Sequence, residues 1–253
     1  MQSAETLVFS MTPSLIDRST HYCPGCQHGV AHRLICEVVD EMGLAADTIL
    51  VASVGCSAFI YDYMDFDCIE APHGRASAVA TGVRRARPDK IVFAYQGDGD
   101  LASLGLCEGI HAANRGERIA VFFINNTLYG MTGGQMAPTT LLGQKTTTTP
   151  RGRSMSNEGG PLRMAEMMAS LDGVVYSARC SLDSVAHIRA AKKSIQKAFE
   201  CQTRNLGYGF VELLSSCPTN WRMDPRKSCE YIADVVIPVF PLGEFKNRLE
   251  GGA

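Results

Sequence analysis

Residues 90–126 read KIVFAYQGDGDLASLGLCEGIHAANRGERIAVFFINN, and this stretch decides the fold. Lys90–Gln96 is a short apolar run rich in β-favouring residues, which predicts a buried strand. Residues 101–114 predict a helix that Gly116 stops, and Ile119–Ile124 predicts a second buried strand. A strand, a helix and a strand in this order are typical of a right-handed crossover between parallel neighbours.

The same alternation continues on both sides of this unit. Further strands are predicted at 48–54, 173–179 and 209–214, and further helices at 28–42, 75–87, 160–172 and 182–200. Alternating strands and helices predict an α/β fold with a mostly parallel sheet flanked by helices. Residues 132–159 are rich in Thr, Gly, Ser and Pro, and a loop of this length is usually functional or disordered.

Length and composition suit one large α/β domain, or at most two small ones. The chain has 253 residues, of which 45% are hydrophobic. We divide it into an N-terminal arm (residues 1–20), a cofactor-binding domain (21–225) and a C-terminal tail (226–253) that we expect to dock on a partner chain.

Charge and hydropathy exclude several function classes. The net charge of -2 provides no basic field for nucleic acid or anionic lipid. No apolar run approaches the roughly 18 residues that span a bilayer. The first 17 residues lack the basic start and apolar core of a secretory signal, so we expect a cytoplasmic protein.

Four predicted strands end in residues with special chemistry. These ends are Gly55-Cys56-Ser57, Gly97-Asp98-Gly99-Asp100, Asn125-Asn126 and Cys217. In open parallel sheets, ligands bind beyond the carboxyl ends of the strands. The four segments are therefore expected to meet in space although they are far apart in sequence.

Asp98 and Asn126 predict a Mg²⁺–diphosphate site. Mg²⁺ prefers oxygen ligands, and Asp98 would supply charge while Asn126 would supply a neutral carbonyl oxygen. Glycines on both sides of Asp98 let the backbone approach a phosphate closely. The GDG sequence, with Asn126 28 residues after Asp98, resembles the diphosphate-binding motif of thiamine-diphosphate enzymes. That resemblance implies a third ligand, the backbone carbonyl of Leu128.

The ten cysteines suggest a second metal centre. Cys23 and Cys26 form a CxxC in a Pro-Gly turn, and Cys56 and Cys217 each follow a predicted strand. Four such thiolates could bind a [4Fe–4S] cluster or zinc, and the spacing alone does not choose between them. We expect the remaining cysteines to be structural thiols, namely Cys36, Cys68, Cys107, Cys180, Cys201 and Cys229.

Several motifs closely resemble those of one known family, the β subunits of 2-oxoacid:ferredoxin oxidoreductases. The motifs follow the same order as in that family, and the match covers about residues 20–221. The motifs are His21-Tyr22-Cys23-Pro24-Gly25-Cys26, Val54-Gly55-Cys56-Ser57, His73-Gly74-Arg75, Tyr95-Gln96-Gly97-Asp98-Gly99-Asp100-Leu101, Asn125-Asn126, Tyr129-Gly130-Met131-Thr132-Gly133-Gly134-Gln135 and Ser216-Cys217-Pro218. The resemblance implies the thiamine-diphosphate-binding fold and a [4Fe–4S] cluster ligated by Cys23, Cys26, Cys56 and Cys217.

The resemblance also implies an activity, which is the CoA-dependent oxidative decarboxylation of a 2-oxoacid to acyl-CoA and CO₂, with electrons passing through the cluster to ferredoxin. We expect cofactor contacts from Gly55, Cys56, Ser57, His73, Gly97, Gly99, Asp100, Gly130 and Met131. His73 is a possible catalytic residue, and His28 is expected near the same pocket.

Thiamine enzymes need a second domain that binds the aminopyrimidine and supplies an activating Glu. We find no sequence for this second domain in the chain, so we expect the domain and its Glu on a partner α subunit. We also expect γ and ferredoxin-like δ subunits as partners.

The residues that follow Cys56 and Thr132 bear on the choice of substrate. Ser57-Ala58-Phe59 follows Cys56 without a cation, and Gly133 rather than Lys follows Thr132. A pocket for 2-oxoglutarate would need a cation to pair with the distal carboxylate of that substrate. We therefore favour a branched-chain substrate of the 2-oxoisovalerate type. The alternatives are 2-oxoglutarate or pyruvate, a non-oxidative thiamine decarboxylase or synthase, and a zinc-binding assembly subunit. Residues 145–151 are either a polar surface loop or a segment ordered by a partner chain or coenzyme A.

Overall fold

The computed structural model describes residues 9–249 and contains a seven-stranded sheet. Its strands are β1 (Thr48–Ala52), β2 (Asp67–Glu70), β3 (Ile91–Gly97), β4 (Ala120–Asn125), β7 (Val174–Ser181), β8 (Tyr208–Leu214) and β9 (Gly243–Asn247). In the sheet they follow the order β2-β1-β3-β4-β8-β7-β9. All neighbouring pairs are parallel except β7 and β9, which are antiparallel. A small hairpin, β5 (Leu128–Tyr129) with β6 (Gln135–Met136), follows β4. The predicted α/β fold with a mostly parallel sheet is confirmed.

Helices cover both faces of this sheet. They are α1 (His28–Glu41), α2 (Ala76–Ala86), α3 (Leu106–Asn114), α4 (Met164–Ala169), α5 (Val185–Thr203), α6 (Pro218–Trp221), α7 (Pro225–Tyr231) and α8 (Ile237–Val239). Helices α1 and α5 contribute to one core cluster, and α2, α3 and α4 contribute to the cluster on the opposite face. No described helix is long and apolar enough to cross a membrane.

The central strands are continuous apolar runs because both of their faces are buried. In β3, Phe93 packs in the cluster of α1 and α5, while Val92 packs in the opposite cluster. In β4, Phe122 and Phe123 divide between the two faces in the same way. Burying each such side chain contributes about 1.5–3 kcal/mol, so the sheet is a rigid platform for the loops at its edges.

The structure differs from the sequence prediction in several elements. The predicted helix 101–114 begins as a π-helical turn, Asp100–Leu104, before α3. The wide turn brings Gly105 against Gly74, whose carbonyl oxygen would lie 2.5 Å from a Cβ at residue 105. The predicted helix 160–172 is shorter and spans only α4, Met164–Ala169. Strand β2 was not predicted, because its exposed, half-polar sequence lacks the apolar run of a central strand.

The arm and the tail are partly described. Ser14 of the arm donates its backbone N–H to Asp40 of α1 at 3.0 Å, whereas residues 1–8 lie outside the described chain. Most of the tail folds onto the domain, as α7, a π-helical turn (Ile232–Val236), α8 and the edge strand β9. Residues 250–253 also lie outside the described chain, and docking of the tail on a partner stays a prediction.

Candidate functional site

The four strands with special ends are neighbours in the sheet, in the order β1, β3, β4, β8. The carboxyl ends of β1, β3 and β4 border a pocket, and Cys217, which follows β8, lies close to Gly130 of its lining. All twelve residues predicted to contact the cofactor or Mg²⁺ line it, namely Gly55, Cys56, Ser57, His73, Gly97, Asp98, Gly99, Asp100, Asn126, Leu128, Gly130 and Met131. The structure therefore brings these residues together, and their individual roles stay predictions.

Asp98 is a buried carboxylate at the centre of this edge. Its oxygens accept hydrogen bonds from the Thr139 hydroxyl at 2.7 Å and from the Gly99 backbone N–H at 2.8 Å. Burial raises the pKa of Asp98 to about 7, although these hydrogen bonds and the backbone N–H groups of Thr127 and Asn126 lower it. Among residues 9–249, no Lys or Arg lines the pocket around Asp98. A bound Mg²⁺ would supply a positive charge beside this carboxylate.

Asn126 and Leu128 lie on either side of a tight turn after β4. Thr127 between them has a positive φ of 66°, and its N–H donates to the Asn125 side chain at 3.1 Å. The Asn126 Oδ1 atom accepts a long bond of 3.3 Å from the Leu128 N–H. The turn places both predicted ligands beside Asp98, so the set of oxygen donors fits Mg²⁺.

Two glycines leave room for a ligand at this edge. An added Cβ at Gly97 or at Gly55 would meet no heavy atom within 4 Å. Gly99 is different, because a Cβ there would lie 2.4 Å from the Tyr129 ring. Gly97 and Gly55 therefore border open space of the kind that a diphosphate needs, while Gly99 is required for packing.

Asp100 supports the site through hydrogen bonds to its carboxylate. Its carboxylate accepts hydrogen bonds from the Ser53 hydroxyl, the His73 Nδ1, the Gly74 N–H at 2.6 Å and the Gln96 side chain at 2.6 Å. With four donors, the carboxylate holds His73 in one orientation. The Nε2 atom of a neutral His73 is then left as an acceptor, which suits the predicted role of this residue.

His28 lines the pocket from the start of α1. Its Nδ1 lies 2.8 Å from the Tyr95 hydroxyl, and the Tyr22 ring stacks on it with centroids 4.8 Å apart. Burial lowers the pKa of His28 to about 4, with a further contribution from His21. His28 is therefore a neutral, fixed side chain at neutral pH.

The four predicted cluster ligands lie on one side of the pocket. An added Cβ on Gly130 would lie 3.1 Å from the Cys56 Sγ and 3.6 Å from the Cys217 Sγ. Burial, with a smaller contribution from the neighbouring thiols of the set, raises the pKa of Cys26 to about 11 and that of Cys56 to about 12. Thiolates at these positions need a cation, which an iron–sulfur cluster would supply.

Within residues 9–249, no three His, Cys, Asp or Glu side chains converge on a point that suits a single metal ion. The choice between an iron–sulfur cluster and zinc at the four thiols stays a prediction. The other six cysteines are also free, and Cys36 donates to the Ser14 carbonyl at 3.3 Å.

The sequence alone did not indicate which residues support the proposed metal and cofactor ligands. Among these supporting residues are Ser53, Gln96, Thr139 and Thr140. Only their closeness to predicted strand ends or to the Thr-rich loop could have suggested them. Residues 144–147 line a larger cavity of about 780 Å³ on the outer side of that loop, opposite Thr219–Met223.

Residues 53–204, more than half of the chain, match the family described as thiamine pyrophosphate enzyme, C-terminal TPP binding domain. The 2-oxoglutarate synthase subunit KorB of Methanocaldococcus jannaschii is 39% identical over 206 residues, covering 80% of this chain and 72% of KorB. The chain belongs to the family of 2-oxoacid:ferredoxin oxidoreductase β subunits.

A more similar relative is the ketoisovalerate oxidoreductase subunit VorA of Methanothermobacter thermautotrophicus, 48% identical over 241 residues. The match covers 95% of this chain but 50% of VorA, so the chain spans about half the length of that relative. The solved 2-oxoglutarate:ferredoxin oxidoreductase from Magnetococcus marinus superposes with a TM-score of 0.75 at 24% identity. That match covers 95% of this chain and 85% of the other, and it supports the fold.

Proposed function

We propose that this chain is the thiamine-diphosphate-binding subunit of an enzyme that converts a 2-oxoacid and coenzyme A to acyl-CoA and CO₂, with electrons passing through a [4Fe–4S] cluster to ferredoxin. One observation carries the proposal. A Cβ added at Gly130 would lie 3.1 Å from the Cys56 Sγ and 3.6 Å from both the Cys217 Sγ and the Asn126 Nδ2, so these three side chains border the same small space. The proposed cluster and the proposed Mg²⁺ site are therefore direct neighbours.

Each part of the pocket has a task in this proposal. Asp98, the Asn126 side chain and the Leu128 carbonyl would hold Mg²⁺, and the open space at Gly97 and Gly55 would receive the diphosphate. Thiamine diphosphate, when bound, supplies the nucleophile and the electron sink for decarboxylation. His73, oriented by Asp100, would accept or supply a proton at Nε2. His28 stays neutral and fixes the wall beside Tyr95.

The four thiolates would hold a [4Fe–4S] cluster, which would supply an acceptor for the electrons that leave the reacting carbon. This step distinguishes the proposal from a non-oxidative thiamine enzyme, which would share Asp98 and Asn126 but has no use for thiols at the pocket. It also distinguishes the proposal from a zinc-binding assembly subunit. Free cysteines throughout the chain agree with a reducing compartment, and we propose a cytoplasmic location.

The pocket also supports the need for a partner. No Glu lines it among residues 9–249, so the activating carboxylate would come from an α subunit. Additional γ and ferredoxin-like δ subunits would complete the electron path. Residues 145–151 could then contact a partner or coenzyme A, since Lys145 and Arg222 both line the larger cavity.

Metal analysis of the chain tests the proposal. We expect about four irons and four labile sulfides per chain, and an EPR signal after reduction. The isolated chain should nevertheless show no 2-oxoacid-dependent dye reduction until an α subunit is added. One zinc per chain with no iron would contradict the proposed [4Fe–4S] cluster. Robust turnover by the chain alone would contradict the proposed need for an α subunit.

Substrate preference is a separate prediction for the complete complex. No Lys or Arg lines the pocket among the described residues, whereas Val54, Ile124 and Met131 do. A branched apolar side chain would fit such walls, while the distal carboxylate of 2-oxoglutarate would be left unpaired. We expect kcat/KM for 2-oxoisovalerate to exceed that for 2-oxoglutarate by at least about tenfold. Equal values, or a preference for 2-oxoglutarate or pyruvate, would show that a partner supplies the specificity.

A further inference from the structure

Two adjacent threonines from the long loop reach the two separate segments that carry the proposed Mg²⁺ ligands. The Thr139 hydroxyl donates to Asp98 Oδ2 at 2.7 Å, and the Thr140 hydroxyl donates to the Thr127 carbonyl at 2.5 Å. Both threonines are completely buried. We propose that Thr139 and Thr140 are positioning residues for the Mg²⁺–diphosphate site, an inference that rests on the function proposed above.

The bond from Thr139 fixes the orientation of the Asp98 carboxylate. An ionised carboxylate only accepts hydrogen bonds, so the Thr139 hydroxyl must be the donor. The second oxygen of Asp98 accepts from the Gly99 N–H at 2.8 Å. Each oxygen therefore has at least one protein donor, and these bonds hold the carboxylate in one orientation. Residues that orient metal ligands in this way typically change metal affinity by about 10- to 100-fold when they are removed.

Thr140 controls the turn between the other two ligands. Thr127 is a β-branched residue with a φ of 66°, a conformation that costs of order 1–3 kcal/mol. Three hydrogen bonds hold it there, from the Thr140 hydroxyl to its carbonyl, from the Gln144 side chain to its hydroxyl at 2.8 Å, and from its N–H to Asn125. Because Asn126 and Leu128 flank Thr127, the contact from Thr140 sets the direction of both.

The backbone that carries the two threonines is itself anchored. The Arg153 guanidinium is buried and donates to carbonyl oxygens on both sides of the loop. These are the carbonyls of Ala137, Pro138, Thr140, Glu158, Gly159 and Gly160. In addition, the Thr140 hydroxyl accepts from the Ala137 N–H at 2.9 Å. The backbone of residues 137–140 is thus held in one conformation, which is what a positioning role requires.

Mn²⁺ binding measured by EPR, in the presence of thiamine diphosphate, tests the inference on the assembled complex. Mn²⁺ uses the same oxygen ligands as Mg²⁺. We expect Thr139→Val, which keeps the shape and removes the hydroxyl, to weaken Mn²⁺ binding about 10- to 100-fold. Thr140→Val should weaken it in the same direction. In activity assays, the Mg²⁺ concentration for half-maximal rate should rise by the same factor, while kcat at saturating Mg²⁺ changes little.

Three further variants make the outcome decisive. Thr139→Ser restores the hydroxyl without the methyl group and should bind Mn²⁺ like the wild type. Thr203→Val, the same change at an exposed position at the end of α5, should also bind normally. Thr139→Ser as weak as Thr139→Val would overturn the positioning role. Wild-type Mn²⁺ affinity in Thr139→Val would also overturn the positioning role, provided that Asp98→Asn loses Mn²⁺ binding. If Asp98→Asn binds Mn²⁺ normally, the proposed metal site itself is wrong.

Discussion

Asp98→Asn is expected to lower the affinity for Mg²⁺ and thiamine diphosphate by at least about 100-fold, and with it the activity of the complex. Asn has the shape of Asp and keeps one carbonyl oxygen, but it brings no charge to a divalent cation. Asn126 and the Leu128 carbonyl are neutral as well, so the variant site would bind Mg²⁺ through neutral protein oxygens alone.

The same substitution should not destabilise the metal-free protein. Burial raises the pKa of Asp98 to about 7, which means that folding disfavours the charged form of this side chain. Removing the charge removes that penalty, so the urea midpoint of metal-free Asp98→Asn should equal or exceed that of the wild type. Reduced ligand affinity with undiminished stability is the pattern of a metal ligand rather than of a structural carboxylate.

Calorimetric titration with Mg²⁺ and thiamine diphosphate measures the first effect, and equilibrium unfolding in urea measures the second. Asp89→Asn is a matched control, because Asp89 is an exposed partner of Arg87 at 2.7 Å. That variant should change neither quantity appreciably. An Asp98→Asn protein with wild-type ligand affinity would remove Asp98 from the metal site.

The sequence predicted the strand ends well because those signals are local. Lys90–Gln96 and Ile119–Ile124 are apolar runs that must be buried, and the chemistry of Asp98 and Asn126 follows them directly. Their convergence needed only the rule that parallel strands present their carboxyl ends at one edge. The structure adds that β1, β3, β4 and β8 are immediate neighbours.

Other features depend on contacts that no local pattern encodes. Strand β9 joins the sheet only because β7 offers an open edge, and its sequence is exposed and largely polar. Residues 132–159 have almost no periodicity, yet Arg153 orders much of this loop through backbone carbonyls that are spread along the chain. The supporting role of Thr139 could not be predicted, because its partner Asp98 lies 41 residues away.

A buried ion pair behind the site carries a second large expected effect. The side chains of Arg179 and Glu212 are both fully buried and lie 2.9 Å apart, and Arg179 also contacts Glu166. Glu212 in turn accepts from the Asn125 side chain at 2.7 Å, next to the proposed metal ligand Asn126. Burial raises the pKa of Glu212, although the Arg179 charge lowers it. Glu212 therefore stays ionised only with help from Arg179.

Arg179→Met is expected to lower the free energy of unfolding by about 3–5 kcal/mol, because it leaves the Glu212 charge buried without its partner. Adding Glu212→Gln should recover part of this loss, since the double variant buries no unpaired charge at this position. Arg87→Met, which breaks an exposed pair, should change stability by at most about 1 kcal/mol.

The deficit of Arg179→Met should also depend on pH with a defined sign. Without Arg179, the pKa of Glu212 in the folded state rises further above its unfolded value, so folding favours the protonated form. The deficit relative to wild type is then largest at neutral pH and shrinks as the pH falls toward the unfolded pKa of about 4.3. Urea unfolding of the metal-free chain at several pH values measures it. A deficit that is constant with pH, or a double variant less stable than Arg179→Met, would show that lost packing rather than the unpaired charge dominates.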